Sequence, residues 1–117
     1  MNLGHTFAHA LEAERGYDGS WSHGEAVAWG LDRALALGVR LGITDSRWYQ
    51  EVHDLLSSYH YRLKAEGANP KTILAAMKND KKKKAGSVRF ILQKSLGETL
   101  MTQVDDENVL RILEDGV

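Results

Sequence analysis

The chain has 117 residues, of which 43% are hydrophobic and 26% charged, and this is enough for the core of one compact domain. The net charge of −1 does not indicate a nucleic-acid partner, and the absence of cysteine excludes disulfides and thiolate metal sites. No apolar run approaches the about 20 residues that span a bilayer, and the N-terminus lacks a signal-peptide pattern. We therefore expect a cytoplasmic protein with neither a membrane nor a nucleic-acid partner.

The first half of the chain predicts three helices. Apolar spacing predicts a helix over residues 2–15, which Gly16 ends. A Gly- and Ser-containing loop follows, and Ser22 or His23 opens a second helix that runs to about residue 41 and stops at Gly42. Small residues are dense on this second helix, so we expect it to be central. Thr44 or Asp45 can cap a third helix, which the apolar spacing extends to about residue 59.

The second half predicts two more helices and a hairpin. Asn69 before Pro70 is typical of a helix start, and the apolar spacing extends this short helix to about Met77. Alternating residues over 88–93 and 99–104, on either side of a glycine-centred turn, predict two paired strands. Asp105 or Asp106 can cap the last helix. The predicted fold class is mainly α, a multi-helix domain with a small β-hairpin near the C-terminus.

Three histidines carry the first indication of chemistry. His5 and His9 are four residues apart and share one helix face, and His23 stands at the start of the next helix. A helix pair can bring three imidazoles to one point, and three nitrogen ligands with an open position are typical of a catalytic zinc site. The alternative is a pair of half-buried histidines that bond to backbone carbonyls.

Two carboxylates near these histidines have open roles. Glu12 lies one turn beyond His9 and could bind metal, although a supporting or salt-bridging role is favoured. Glu25 in the first turn of the second helix could interact favourably with the helix dipole, or it could orient an imidazole that binds the metal. The other two histidines, His53 and His60, have no partner pattern, and we interpret them as structural.

A basic run follows the predicted fourth helix. Lys81 and Lys82 come directly after it and could hold a carboxylate or phosphate, whereas the two lysines after them are expected to be solvated. The sequence has no GxGxxG motif, P-loop or nucleophile elbow. It therefore indicates no nucleotide-binding module within these residues.

Two motifs in the right order, NLGHTFAHALEAERGY and WSHGEAVAWG, closely resemble the zinc-binding core of the 3-dehydroquinate synthase family. The resemblance continues through the DKK element, GSVRFIL and DDENVLRILEDG, so it covers residues 1–117 as the C-terminal helical domain. It implies an N-terminal NAD-binding domain that this sequence does not contain. Because the functional residues begin directly after Met1, we expect the chain to be a fragment that is inactive alone.

The resemblance also implies residue roles. Zinc, or cobalt, would be held by an upstream glutamate together with His5 and His23, which also lie among the substrate-binding residues. His9 matches the residue that transfers a proton near the substrate phosphate. Substrate contacts are further implied for Asn2 and for one of two lysines, Lys81 or Lys82.

The implied reaction is a phosphate-eliminating lyase step of the shikimate pathway, which leads to aromatic amino acids. The substrate 3-deoxy-D-arabino-heptulosonate 7-phosphate becomes 3-dehydroquinate and phosphate, with NAD as a transient oxidant. Apolar surface left by the missing domain predicts a homo-oligomer. The alternatives are a sister sugar-phosphate cyclase, such as a 2-deoxy-scyllo-inosose or valiolone-type synthase, and a non-catalytic metal-binding helical module.

Overall fold

The computed structural model describes residues 4–16, 19–83, 89–95 and 98–117, with side chains described for 4–16, 19–78 and 104–117. In chain order the elements are α1 (His5–Glu14), α2 (His23–Arg40), α3 (Ser46–Ser58), α4 (Pro70–Lys83), β1 (Arg89–Ser95), β2 (Glu98–Gln103) and α5 (Asp106–Asp115). The fold is mainly helical, as the sequence predicts. The strands β1 and β2 run antiparallel, with Arg89 opposite Gln103, and β1 lies beside α2.

Local signals set most helix ends where the sequence places them. Gly16 and Gly42 both adopt positive φ, which suits the residue after a helix and closes α1 and α2. The side chain of Asp45 accepts the backbone N–H of Arg47 and begins α3. The Asn69 side chain accepts two backbone N–H groups at the start of α4, at 2.9 and 3.3 Å.

Two predicted boundaries are wrong. The first helix begins at His5 rather than at residue 2, because Gly4 has φ 80° and leaves the helical region. The fourth helix continues to Lys83, so Lys81 and Lys82 lie within its last turn and not after it. Lysine is a good helix former, and cations suit a helix C-terminus, which explains the extension.

The helix α2 is central, as predicted. It packs against α1, α3 and α5, and its Trp29 is fully buried with an edge-on contact to Phe7, at 6.5 Å between ring centroids. The indole N–H of Trp29 donates to the carbonyl of Gly116 at 2.9 Å, which ties α2 to the C-terminus. The remaining large core side chains come from α1, α2, α4 and α5: Leu11, Leu35, Leu37, Ile73, Met77, Val109 and Leu113.

The start of α1 meets the middle of α2 at a contact between two glycines. A Cβ atom at Gly4 would lie 2.5 Å from the backbone nitrogen of Leu31, and one at Gly30 would lie 2.9 Å from that of Ala8. Such distances leave no room for a side chain, so the two backbones touch. Because His5 follows Gly4 directly, this contact sets the position of the first histidine relative to α2.

Candidate functional site

Three histidine rings lie side by side where α1 meets the start of α2. The His5 ring is in the middle, with its centroid 5.8 Å from that of His9 and 6.4 Å from that of His23. His5 is half-buried, whereas His9 is exposed and the His23 side chain is 63% exposed. The i, i+4 spacing on α1 and the turn before α2 therefore bring together the residues that the sequence singles out.

The ring orientations distinguish the two neighbours of His5. A metal ion lies in the plane of an imidazole that binds it, at about 2 Å from the nitrogen. The rings of His5 and His9 are stacked with only 15° between their planes, so in this structure they face one another and do not both aim at one nearby ion. The rings of His5 and His23 are tilted by 33°, which lets their planes meet. The three rings thus do not converge on one point.

The carboxylate of Glu12 accompanies His23. One Glu12 oxygen lies 3.5 Å from Nδ1 of His23, and the Glu12 side chain is only 18% exposed. This distance is longer than a direct hydrogen bond but keeps the carboxylate beside the ring. Within the described part of the chain, no set of three His, Asp or Glu side chains is arranged to enclose a metal ion.

Glu25 acts at the N-terminus of α2. It forms a capping box with Ser22, in which each backbone N–H donates to the other residue's side chain at 3.1 Å. Arg62 Nε donates to the second carboxylate oxygen at 3.1 Å. The Ser22 backbone N–H and then the Arg62 guanidinium hold the pKa of Glu25 below its usual value. Of the two roles left open for Glu25, the structure shows the one at the N-terminus of the helix.

Three predicted substrate residues fall outside what the structure describes. Asn2 precedes the described residues, and the side chains of Lys81 and Lys82 lie outside the described set, although both residues belong to α4. Their roles stay predictions.

A second polar cluster, which the sequence did not indicate, is buried between α2, α3 and α5. Asp32 is fully buried and binds Arg33 at 2.6 Å and the His53 ring nitrogen at 2.7 Å. Arg33 also donates to the Ile112 carbonyl at 2.6 Å. Burial, followed by the nearby Asp32 carboxylate, raises the pKa of Tyr49 to about 12. His53 thus has a buried partner that no local pattern could identify, and its structural role stays a prediction.

Comparison with known proteins identifies the family to which this chain belongs. The family described as 3-dehydroquinate synthase C-terminal matches residues 1–83, which include all three histidines. The chain belongs to that family. A 3-dehydroquinate synthase of Endomicrobium trichonymphae is 41% identical over 115 residues, covering 98% of this chain and 31% of the relative. The chain therefore spans about a third of the length of this member of the 3-dehydroquinate synthase family.

Solved structures share the fold at lower identity. A 2-deoxy-scyllo-inosose synthase complexed with carbaglucose-6-phosphate, NAD+ and Co2+ is 21% identical, with a TM-score of 0.82, over 99% of this chain and 33% of that one. A 2-epi-5-epi-valiolone synthase from Streptomyces hygroscopicus subsp. jinggangensis 5008, with NAD+ and Zn2+ bound, is 20% identical, with a TM-score of 0.85, over 97% of this chain and 31% of that one.

No helix among the described residues is long and apolar enough to cross a membrane.

Proposed function

We propose that this chain is the metal-binding domain of a 3-dehydroquinate synthase, and that His5 and His23 bind the metal. The observation that carries the proposal is the close, tilted approach of these two rings at the junction of α1 and α2, within a sequence 41% identical to a 3-dehydroquinate synthase. The reaction would convert 3-deoxy-D-arabino-heptulosonate 7-phosphate to 3-dehydroquinate and phosphate.

The ring geometry fits a zinc-sized ion after a small adjustment. Two imidazoles on one tetrahedral zinc ion have ring centroids about 5 Å apart, given nitrogen–zinc distances of about 2 Å. The observed separation for His5 and His23 is 6.4 Å. Because the His23 side chain is 63% exposed, a change of its side-chain torsions can close this gap without moving the helices. A third ligand would come from outside the described set, since that set contains no three-residue site.

Glu12 would orient His23. A carboxylate that accepts the proton of one imidazole nitrogen fixes the ring and leaves the other nitrogen for the metal. Glu12 lies beside Nδ1 of His23, so Nε2 would be the metal-binding atom. When bound, zinc or cobalt would polarise the hydroxyl and carbonyl oxygens of the substrate as a Lewis acid.

His9 would hold and transfer a proton rather than bind metal. Its stacked orientation on His5 directs it away from a shared ion, while its exposure leaves the ring open to a substrate phosphate. Imidazole suits this role because its proton affinity allows exchange near neutral pH. Asn2 and one of Lys81 and Lys82 remain the predicted contacts to the substrate.

NAD binding, we infer, belongs to the part of the full-length enzyme that lies outside these 117 residues, since the sequence contains no dinucleotide motif. When bound, NAD would supply reversible hydride transfer. A homo-oligomeric state and a cytoplasmic location accompany the proposal as predictions. The sister cyclases share the fold at 20–21% identity, whereas the dehydroquinate enzyme shares 41% of residues, which favours the latter.

Zinc titration of the chain tests the metal site. The titration would be read by competition with a chromophoric chelator, and we expect His5→Ala and His23→Ala to weaken binding by tenfold or more. His60→Asn is the matched control, because His60 is exposed, has φ 67° and lies on another segment, and Asn tolerates that conformation. Equal affinity in the wild type and both Ala variants would refute the metal role.

A phosphate-release assay tests whether the reaction needs the NAD-binding part of a full-length synthase. With NAD, zinc and the heptulosonate phosphate supplied, the chain alone should show no turnover, and its activity should appear only in a full-length synthase. Turnover by these residues alone would overturn the assignment of NAD binding to another part of the enzyme. Zinc binding that His5→Ala leaves unchanged would instead favour the non-catalytic helical module.

A further inference from the structure

The direction of His23 depends on the loop before it. His23 is the first residue of α2, its side chain is 63% exposed, and Gly19 and Ser20 before it are exposed as well. Gly19 adopts φ 82°, and a Cβ atom there would contact nothing. The start of α2 is held by the packing of Trp21 against the core, by the capping box of Ser22 and Glu25, and by a contact from outside the loop.

Arg62 supplies that contact from a distant segment. Its guanidinium donates to the Ser20 carbonyl at 2.7 Å and to the Glu25 carboxylate at 3.1 Å, and it lies 4.0 Å above the ring of Trp21. One side chain thus touches residues on both sides of His23, although it is 37 residues away from the closest of them in sequence.

The segment that carries Arg62 is itself attached to the core. Ala65 is buried, and its backbone N–H donates to the Gly116 carbonyl at 2.7 Å. The same carbonyl accepts the indole N–H of buried Trp29 in the middle of α2. A short connection therefore leads from the domain core through residues 62–65 to the loop before His23.

We propose that Arg62 is a positioning residue for the metal site. It holds the loop before α2 and its first turn, so that the His23 ring faces His5 and Glu12. This inference rests on the proposed function for the role of His23 in metal binding, but the loop-holding step does not depend on it. Arginine suits this role because its planar guanidinium can stack flat on an aromatic ring while its N–H groups donate in two fixed directions, whereas a compact lysine ammonium lacks this planar geometry.

Variants of Arg62 test the proposal in the intact chain. We expect Arg62→Gln to weaken zinc binding at least tenfold, the low end of the about 10–100-fold loss seen when groups supporting a metal ligand are removed. Arg62→Lys should recover only part of the affinity. The control is Arg40→Gln, which removes an exposed arginine that binds Asn108 at 2.7 Å at the other end of α2.

Two further measurements separate positioning from general stability. Urea unfolding of Arg62→Gln and Arg40→Gln should show similarly small losses, since exposed ion pairs contribute little to stability. The metal-free NMR signals of the His23 ring should shift or broaden in Arg62→Gln, while those of His53, which has its own buried partner, should not.

The outcomes are distinct. Unchanged zinc affinity in Arg62→Gln would overturn the positioning role, as would an equal loss in the Arg40→Gln control. If His5→Ala and His23→Ala bind zinc as tightly as the wild-type chain does, the proposed metal role of these histidines fails. In that case unchanged His23 signals in Arg62→Gln overturn the loop-holding step, and changed signals support it.

Discussion

Alanine in place of Gly30 should loosen the junction between α1 and α2. A Cβ atom at this position would overlap the Gly4 carbonyl oxygen and lie 2.9 Å from the Ala8 nitrogen and 3.2 Å from its Cβ. Two of these three atoms belong to the backbone and cannot rotate aside. The start of α1 would have to move away from α2 and carry His5 with it.

The magnitude follows from two opposing effects. Alanine is favoured over glycine inside a helix by about 1 kcal/mol. Insertion of a methyl group into a packed contact costs about 1–3 kcal/mol, and rigid backbone neighbours favour the upper end. We therefore expect Gly30→Ala to lower the free energy of unfolding by about 1–2 kcal/mol.

Gly24→Ala is the matched control on the same helix. A Cβ atom at Gly24 would have no heavy atom within 4 Å, so only the propensity gain remains. The control should be as stable as the wild type or more stable by up to about 1 kcal/mol. Urea denaturation of the three proteins measures these differences. A Gly30→Ala protein as stable as the Gly24→Ala protein would refute the close-contact argument.

Three further predictions concern titration and buried charge. Partial burial acts to raise the pKa of Glu14, but bonds from Arg15 and the backbone N–H of residue 69 outweigh it and lower that pKa. Glu14→Gln should therefore cost stability near neutral pH, and urea unfolding should show the difference shrinking as pH falls below the usual glutamate range. The pKa of Tyr49 is raised to about 12, whereas in the unfolded chain it is about 10. The free energy of unfolding should therefore fall as the pH rises from about 10 to 12, and Tyr49→Phe should reduce this fall in urea unfolding at alkaline pH. Asp32→Ala should cost about 3–5 kcal/mol in urea unfolding because it leaves the buried Arg33 unpaired, and a smaller effect would contradict that pairing.

The sequence predicts the helices well because their ends depend on local chemistry. The Ser22 cap, the Asp45 cap and the glycines after α1 and α2 act within four residues of the helix end, so their patterns are readable in the chain. The end of α4 is mispredicted for the opposite reason. A run of lysines is typical of a solvated segment after a helix, but lysine is also a good helix former and here extends α4 to Lys83.

Long-range partners could not be predicted. Asp32 meets His53 across 21 residues, and Arg62 meets Ser20 across 42, with no spacing rule that links them. Periodicity shows that α2 has an apolar face but not which polar residue on it is buried. Arg33 is a neighbour on the same helix, but only the packing of α3 on α2 brings the second partner, His53, to the Asp32 carboxylate.

The histidine pattern predicts a site but does not by itself orient it. Spacing on α1 places His5 and His9 on one face, yet their rings are stacked and do not point at one ion in this structure. The ring that can meet His5 on an ion belongs to His23, and its direction depends on the glycine contact between α1 and α2 and on Arg62. A protein with the same histidine spacing but without these two contacts should bind zinc more weakly. Combining Gly30→Ala with Arg62→Gln tests this: because the contacts act on different ligands of one ion, their losses in zinc affinity should multiply, and a combined loss no larger than that of either variant alone would contradict it.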